Sequence, residues 1–301
     1  MNILVTGAKG QLGQCIQSEI ERYNARNNYF FEGSDTVNIL SVPDIRNYVK
    51  ENSIDIIINC AAYTAVDKAE GDDNSNVESI TAYNINVIGV DNLVEVCKEY
   101  NIYLIHISTD FVFDGRSNSP YNEYDKCNPL CVYGSTKRSG ERIVLGYNKG
   151  IVVRTSWLYS EFGKNFYKTM KSRILDEKPT TVVSDQIGTP TYARDLAKFL
   201  ISIINTDKIK DCKGVYHFSN NGCCSWYDFA AAIEIMFSDY CSDKYITPCK
   251  TEEYPCKAVR PKYSVLGKDR LKEINFTPRH WMTALKDCML EEYDLMIKNK
   301  K

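Results

Sequence analysis

Short continuous apolar runs alternate with longer stretches of helical periodicity through the first half of the chain. "NILVT" (2–6) is an apolar strand that ends at a glycine-rich turn, and residues 11–23 follow with helical spacing. "NYFFEG" (28–33) reads as a second strand, and "VPDIRNYVKEN" (42–52) as a helix with Pro43 in its first turn. "IDIIINCAA" (54–62) is an unbroken β-branched run, the pattern of a strand buried on both faces. A long helix over 79–100, the strand "YLIHIS" (103–108), a helix around Tyr133 and the strand "GIVVRTS" (150–156) continue the alternation. Strand–helix alternation of this kind predicts an α/β fold built on a doubly wound parallel sheet.

The second half is less regular. Helical periodicity covers 166–175, 193–204, 226–237 and 281–297, and "TTVVSD" and "GVYHFS" are strand-like. The stretch 246–266 is punctuated by proline and reads as loop. The expected organisation is two lobes. Residues 1–155 with about 190–219 form a dinucleotide-binding domain, and about 156–189 with 220–301 form a smaller α/β substrate lobe. "TYARDLA" and "GVYHFS" are returns to the first lobe.

Composition narrows the function classes. The 301 residues carry a net charge of −2, so no basic field recruits nucleic acid or an anionic membrane. No run reaches the roughly 18 uncharged apolar residues of a membrane span, and the N-terminus lacks the pattern of a signal peptide. The expectation is a cytoplasmic protein with neither nucleic-acid nor membrane partners. Twelve cysteines occur without a C-x-x-C pair, and the three histidines are scattered. Reduced thiols and no metal site are expected.

The chemistry concentrates after strands. "TGAKGQLG" sets Gly7, Gly10 and Gly13 between a strand and a helix, where glycines allow close approach of a pyrophosphate to the helix N-terminus. Acidic Glu32 and Asp35 follow the second strand, with no Lys or Arg between Glu32 and Asp44. An acid there bonds a ribose 2′-OH and repels a 2′-phosphate, which tilts the cofactor expectation to NADH over NADPH. Small Ala61 and Ala62 end the third strand, and Ser108 and Thr109 end the next. Tyr133 and Lys137, one helical turn apart, open the helix after that strand. The same Y-x-x-x-K spacing at Tyr167/Lys171 and Tyr240/Lys244 has no such surroundings, and those residues are expected at the surface.

Together these features resemble the extended short-chain dehydrogenase/reductase superfamily, with its Rossmann-like cofactor domain. The strings "GAKGQLG", "INCAAYTAVDKAE", "HISTDFVFDG", "VYGSTKRSGE", "VRTSWLY", "NFYKTM", "DQIGTPTYARDLA" and "RPKYSVL" resemble, within it, the dTDP-4-dehydrorhamnose reductase family. The resemblance spans nearly the whole chain. It implies NAD(P)H-dependent reduction of the C4 ketone of dTDP-4-dehydro-β-L-rhamnose, with Thr109, Tyr133 and Lys137 catalytic. It further assigns to the cofactor Gly7, Gly10, Gln11, Leu12, Gly13, Glu32, Asp35, Asn38, Ala61, Ala62, Tyr63 and Ser108, together with Tyr133 and Lys137. To the nucleotide-sugar it assigns Thr64, Val66, Asp110, Phe111, Trp157, Asn165 and Arg260. An ammonium at Lys137 is expected to draw the Tyr133 hydroxyl, ordinarily near pKa 10, toward the operating pH.

Four positions depart from the family pattern. Phe111 stands where Tyr is common, Asn38 where Asp is frequent, and Cys15 and Arg194 where some relatives place glutamates that link a dimer through magnesium. Neither Cys15 nor Arg194 offers a carboxylate to a hard cation, so a monomer, or a dimer without magnesium, is expected. Two alternatives stay open: another nucleotide-sugar reductase or epimerase of the same superfamily, and a non-catalytic reductase-like regulatory subunit.

Overall fold

Strands and helices alternate as the hydrophobic pattern predicts. The computed structural model describes residues 1–23, 26–71, 76–205, 208–237 and 245–298. In the first half the order is β1 (Asn2–Thr6), α1 (Gln11–Tyr23), β2 (Asn28–Glu32), α2 (Val42–Glu51), β3 (Ile56–Asn59), α3 (Val66–Ala69) and α4 (Val77–Tyr83). A π-helical segment (Asn84–Ile88) joins α4 to α5 (Gly89–Tyr100), and β4 (Tyr103–Thr109), α6 (Val132–Leu145) and β5 (Gly150–Thr155) follow. In the second half come β6 (Leu158–Tyr159), α7 (Phe166–Leu175), β7 (Thr180–Val183), β8 (Ile187–Gly188), β9 (Thr191–Tyr192) and α8 (Ala193–Asn205). β10 (Gly214–His217), β11 (Cys224–Ser225), α9 (Trp226–Met236), β12 (Ile246–Cys249) and α10 (Trp281–Lys298) complete the chain.

Six strands form one parallel sheet in the order β2–β1–β3–β4–β5–β10. Its strands are apolar on both faces because both are covered. Ile3 and Val5 pack with Leu12, Ile16 and Leu200 on the side of α1 and α8, while Leu4 meets Ile57, Leu93 and Val152 on the other. The strand order reverses between β1 and β3, and the carboxyl ends of those strands open the crevice used by ligands in sheets of this type.

Residues after β5 build a second cluster from α7, α9 and α10, with Tyr159, Tyr167, Ile174, Phe229 and Leu285 buried in it. Small two-stranded pairs, β6–β9, β7–β12 and β8–β11, tie it together. Ser225 opens α9 with a capping box to Asp228.

Three expectations are corrected. Tyr167 is not at the surface: it is fully buried, and its hydroxyl donates to Glu292 Oε2 at 2.8 Å, which also accepts from Lys171 Nζ at 2.7 Å. The proline-punctuated stretch contains a strand, β12, which pairs in parallel with β7. The long helix before β4 is broken by its π segment, whose Asn86 side chain turns inward to bond Tyr63 and Thr136. Tyr240 and Lys244 lie outside the described residues.

Candidate active site

The glycine loop sits at the switch point because only glycine fits there. Gly7 has φ +65°, and a Cβ on it would fall 2.6 Å from the Ala61 backbone nitrogen at the tip of β3. A Cβ on Gly13 would fall 2.6 Å from Ala8 Cα. The loop therefore presses against β3, and the N-terminus of α1 opens on a crevice of about 660 Å³. Gly7, Gly10, Gln11, Leu12 and Gly13 line it from β1 and α1, and Ala62, Thr64 and Val66 from the segment after β3. Ser108, Thr109, Asp110 and Phe111 line it from the end of β4, Tyr133 and Lys137 from α6. A glycine floor at a helix N-terminus, with no Cβ between loop and crevice, fits a dinucleotide pyrophosphate.

Thr109 ends β4 and caps the turn beyond it. Its hydroxyl accepts from Phe111 N at 3.2 Å and donates to Asp110 Oδ1 at 3.1 Å. Burial pushes the Asp110 carboxyl up to about 6, against hydrogen bonds from Ser264 and Thr109. Tyr133 stands in the first turn of α6, its ring edge-on to Phe111 with centroids 5.7 Å apart. That approach depends on Gly134, where a Cβ would lie 2.3 Å from the Phe111 carbonyl oxygen. Burial raises the Tyr133 hydroxyl above its ordinary pKa; a hydrogen bond with Thr109 opposes this, and Asp110 reinforces it.

Lys137 bonds groups other than Tyr133. Its Nζ donates to the Ile107 carbonyl at 2.6 Å and lies 3.3 Å from His106 Nε2. Burial lowers the ammonium to about 8, opposed by Glu141 and the Cys60 thiol. Burial thus favours the neutral form of both groups, the phenol of Tyr133 and the amine of Lys137.

The far wall is aromatic and cationic. Trp157 takes φ +47°, a conformation that costs a non-glycine residue about 1–2 kcal/mol. It is held by a parallel stack on Trp226, with centroids 3.6 Å apart, and by Gly188, where a Cβ would lie 2.5 Å from the indole. Arg260 lines the crevice and is fixed by Asp67 of α3 through two bonds of 2.5 and 3.1 Å. Trp226 and Arg260 also border a second cavity of about 470 Å³, walled by Phe166, Val183, Gln186, Thr251 and Tyr254.

The remaining candidate residues stand apart. Asn165 is the N-cap of α7, accepting from Lys168 N, and its amide donates to Ser160 O at 2.7 Å and Phe162 O at 3.1 Å. Asn38 Oδ1 closes a turn by accepting from Leu40 N at 3.0 Å. The Ala61 N–H donates to Asn59 Oδ1, and the Tyr63 hydroxyl donates to Glu78 at 2.5 Å. Glu32 and Asp35 border a separate cleft of about 380 Å³ beyond the glycine loop, with Glu32 accepting from the Tyr48 hydroxyl at 2.6 Å.

That cleft corrects the charge argument for the cofactor. No cation lies near Asp35 in sequence, but the glycine loop brings Lys9 Nζ to 2.9 Å from both of its carboxylate oxygens. The pair is exposed, at 76% and 64%, and leaves the lysine free to turn to a phosphate. The ground for favouring NADH is thereby removed.

Cys15 is buried, and Arg194 occupies a buried carboxylate cluster, bonded to Glu161 and, at 2.7 Å, to Glu19. Among the described residues, no group of three or more His, Cys, Asp or Glu is placed to hold a metal ion. No described helix is long and apolar enough to cross a membrane. The eleven described cysteines are free thiols.

Sequence reasoning passed over Lys9, Asp67, Asn86, His106 and Trp226. Lys9 and Asp67 lie inside quoted motifs and could have been flagged as charges at a ligand crevice. Asn86, His106 and Trp226 carry no signal beyond a polar or aromatic residue in an apolar element.

A crevice of this form, on this sheet, defines an extended short-chain dehydrogenase/reductase. The profile of the RmlD substrate binding domain matches residues 1–294. A dTDP-4-dehydrorhamnose reductase of Aggregatibacter actinomycetemcomitans is 37% identical over 95% of this chain and 97% of its own length. The spore coat polysaccharide biosynthesis protein SpsK of Bacillus subtilis is 37% identical, over 96% and 97%. Among solved structures, a dTDP-4-dehydrorhamnose reductase of Bacillus anthracis in complex with NADP superposes with a TM-score of 0.86 at 35% identity, covering 96% of this chain and 99% of that one. The chain belongs to the dTDP-4-dehydrorhamnose reductase family.

Proposed function

We propose that the protein reduces the C4 ketone of dTDP-4-dehydro-β-L-rhamnose to give dTDP-L-rhamnose, using NADH or NADPH. The observation that carries this reading is the convergence of Thr109, Tyr133 and Lys137 on one crevice between the glycine loop and the Trp157–Arg260 wall. The nicotinamide supplies a hydride to the carbonyl carbon when bound. The chain supplies the proton and the positioning. A ketone that accepts hydride becomes an alkoxide; Tyr133, kept as a phenol by burial, is the proton donor. Thr109, turning its one hydroxyl proton away from Asp110, donates to the same oxygen as charge develops. Lys137 as ammonium orients the cofactor ribose and answers the phenolate that Tyr133 becomes.

Arg260, a planar fork held by Asp67, suits a pyrophosphate, and the stacked Trp157–Trp226 pair covers the sugar. The adjoining cavity, mixed in character and sharing both walls, suits the nucleoside. Lys9 and Asp35 together suit either cofactor, the acid toward a 2′-OH and the lysine toward a 2′-phosphate. On this reading, residues 1–155 with about 190–219 serve the cofactor and about 156–189 with 220–301 the nucleotide-sugar.

Purified protein given dTDP-4-dehydro-β-L-rhamnose should oxidise NADH or NADPH one for one with substrate. Isomerisation of the sugar without net oxidation would assign the protein to the epimerases instead. A relative acting on a different sugar, a dTDP-4-keto-6-deoxy-D-glucose reductase of Streptomyces niveus, is 33% identical. The same assay with that substrate separates the two.

A further inference from the structure

One buried polar chain beneath the crevice has no part in that chemistry. Thr6 on β1, Asn59 on β3 and His106 on β4 occupy one rung of the parallel sheet. Their side chains share a face and are buried, and Lys137 reaches down on them from α6. The rung is bonded in sequence: Thr6 Oγ1 to Asn59 Oδ1 at 2.7 Å, Asn59 Nδ2 to His106 Nδ1 at 3.0 Å, and His106 Nε2 to Lys137 Nζ at 3.3 Å.

The direction of these bonds is set by a group with no choice. The Ala61 backbone N–H donates to Asn59 Oδ1 at 3.2 Å, so that atom must be the oxygen and Asn59 must present its NH₂ to His106. His106 Nδ1 is then an acceptor, and a neutral imidazole carries its proton on Nε2. That N–H points at Lys137, whose other partner is the Ile107 carbonyl. A lysine amine accepts from Nε2–H; a lysine ammonium cannot. Burial keeps His106 neutral, and Lys137 further disfavours its cationic form.

We propose that His106 is a positioning residue which, through an Nε2–H fixed by Asn59, holds Lys137 poised to pass between ammonium and amine during turnover. A lysine poised in this way can return a proton to the phenolate that Tyr133 leaves, and the amine it becomes takes its proton back from solvent through the crevice that both residues line. The other groups facing Lys137 are accounted for. Glu141, one turn along α6, is paired with Arg154 of β5 at 2.7 Å and with Arg138 at 2.7 Å. The Cys60 thiol at the end of β3 is held protonated by burial, its pKa pushed up to about 12. The π segment, Asn84–Ile88, brings no titratable side chain to α6, and its Asn86 bonds Thr136 there. Asp110 faces Tyr133 rather than the lysine. His106 is therefore the nearest group whose orientation decides the lysine's charge.

This inference rests on the reductase reading for its consequence but not for its first test. In protein labelled with ¹⁵N-histidine, two-bond ¹H–¹⁵N correlations report each tautomer. His106 should be the Nε2–H form. His217 is an internal contrast: its Nδ1 faces the Tyr121 and Gly267 carbonyls and its Nε2 faces Arg154, so it should be the Nδ1–H form. His280, exposed, is assigned by its loss in His280→Gln. An Nδ1–H tautomer at His106 overturns the proposal whether or not the protein is a reductase.

The second test is Asn59→Asp, nearly isosteric, which puts a carboxylate on Nδ1 and turns Nε2 into an acceptor for the ammonium. In the wild type kcat/KM should fall about fivefold between pH 8 and pH 9, and about tenfold per pH unit beyond, as Lys137 loses its proton; in the variant that alkaline limb should move up by about one pH unit or more. A variant whose histidine has switched but whose limb is unmoved contradicts the proposal. A uniform loss of rate with the limb in place is the signature of packing alone, and also contradicts it.

Discussion

Replacing Tyr133 with Phe removes one hydroxyl from the centre of the crevice and little else. The ring keeps its edge-on contact with Phe111 and its seat over Gly134, so the fold should lose only about 1 kcal/mol for the bond to Thr109. The catalytic loss is larger. A positioned general acid contributes about 10²–10⁴ in rate, or roughly 3–5 kcal/mol of barrier. Cofactor affinity should be preserved, because Lys137 and the glycine loop are untouched. Tyr167→Phe is the matched comparison, since it carries the same Y-x-x-x-K spacing in the other cluster. Its buried hydroxyl serves Glu292, so that variant should lose about 1.5–3 kcal/mol of stability, the value of a bond to a charged acceptor, with kcat nearly unchanged. Steady-state oxidation of NADH or NADPH, cofactor titration by fluorescence and denaturant unfolding separate the two variants. Near-normal turnover in Tyr133→Phe, or a catalytic loss in Tyr167→Phe equal to it, would refute the assignment of the proton donor.

Arg194→Ala should destabilise the protein by about 3–5 kcal/mol, because Glu19 and Glu161 would be left buried without their cation; thermal unfolding measures it. Since a guanidinium fills that carboxylate cluster, EDTA should change neither activity nor mass in solution, and a chelation-dependent loss would contradict this. Lys9→Ala should raise KM for NADPH about tenfold and leave KM for NADH within about twofold, as expected for one lost charge-assisted phosphate contact. Arg260→Lys should raise KM for the nucleotide-sugar by about tenfold or more, because one ammonium cannot both hold Asp67 and fork a pyrophosphate.

The parts legible in the sequence were those written in apolar periodicity and glycine. The β-branched run at Ile56–Ile58 could be buried on two faces only in a parallel sheet, and Gly7 against Ala61 marks the switch point. Tertiary proximity of polar residues was not legible. Lys9 lies 26 positions before Asp35 and meets it only because β1 and β2 are neighbours. His106 sits in an apolar strand whose pattern says only that it is buried, and the bond to Asn59 that gives it a direction depends on the register of β3 with β4. Tyr167 was misread because the lack of a glycine loop and strand-tip hydroxyl around it argues against catalysis but says nothing about burial, and both Tyr167 and Lys171 converge on Glu292 from α10. β12 was hidden by its composition: Thr, Pro and Cys make a poor strand signal, and a single neighbour, β7, supplies its pairing.

The central claim is hydride delivery to the sugar C4 with the proton drawn from Tyr133. Cofactor deuterated at the transferring nicotinamide position, incubated with dTDP-4-dehydro-β-L-rhamnose and the wild-type protein, should give dTDP-L-rhamnose carrying one deuterium at C4, and Tyr133→Phe should form the same labelled product at least a hundredfold more slowly. Deuterium at another carbon, or a product without label, would contradict the account.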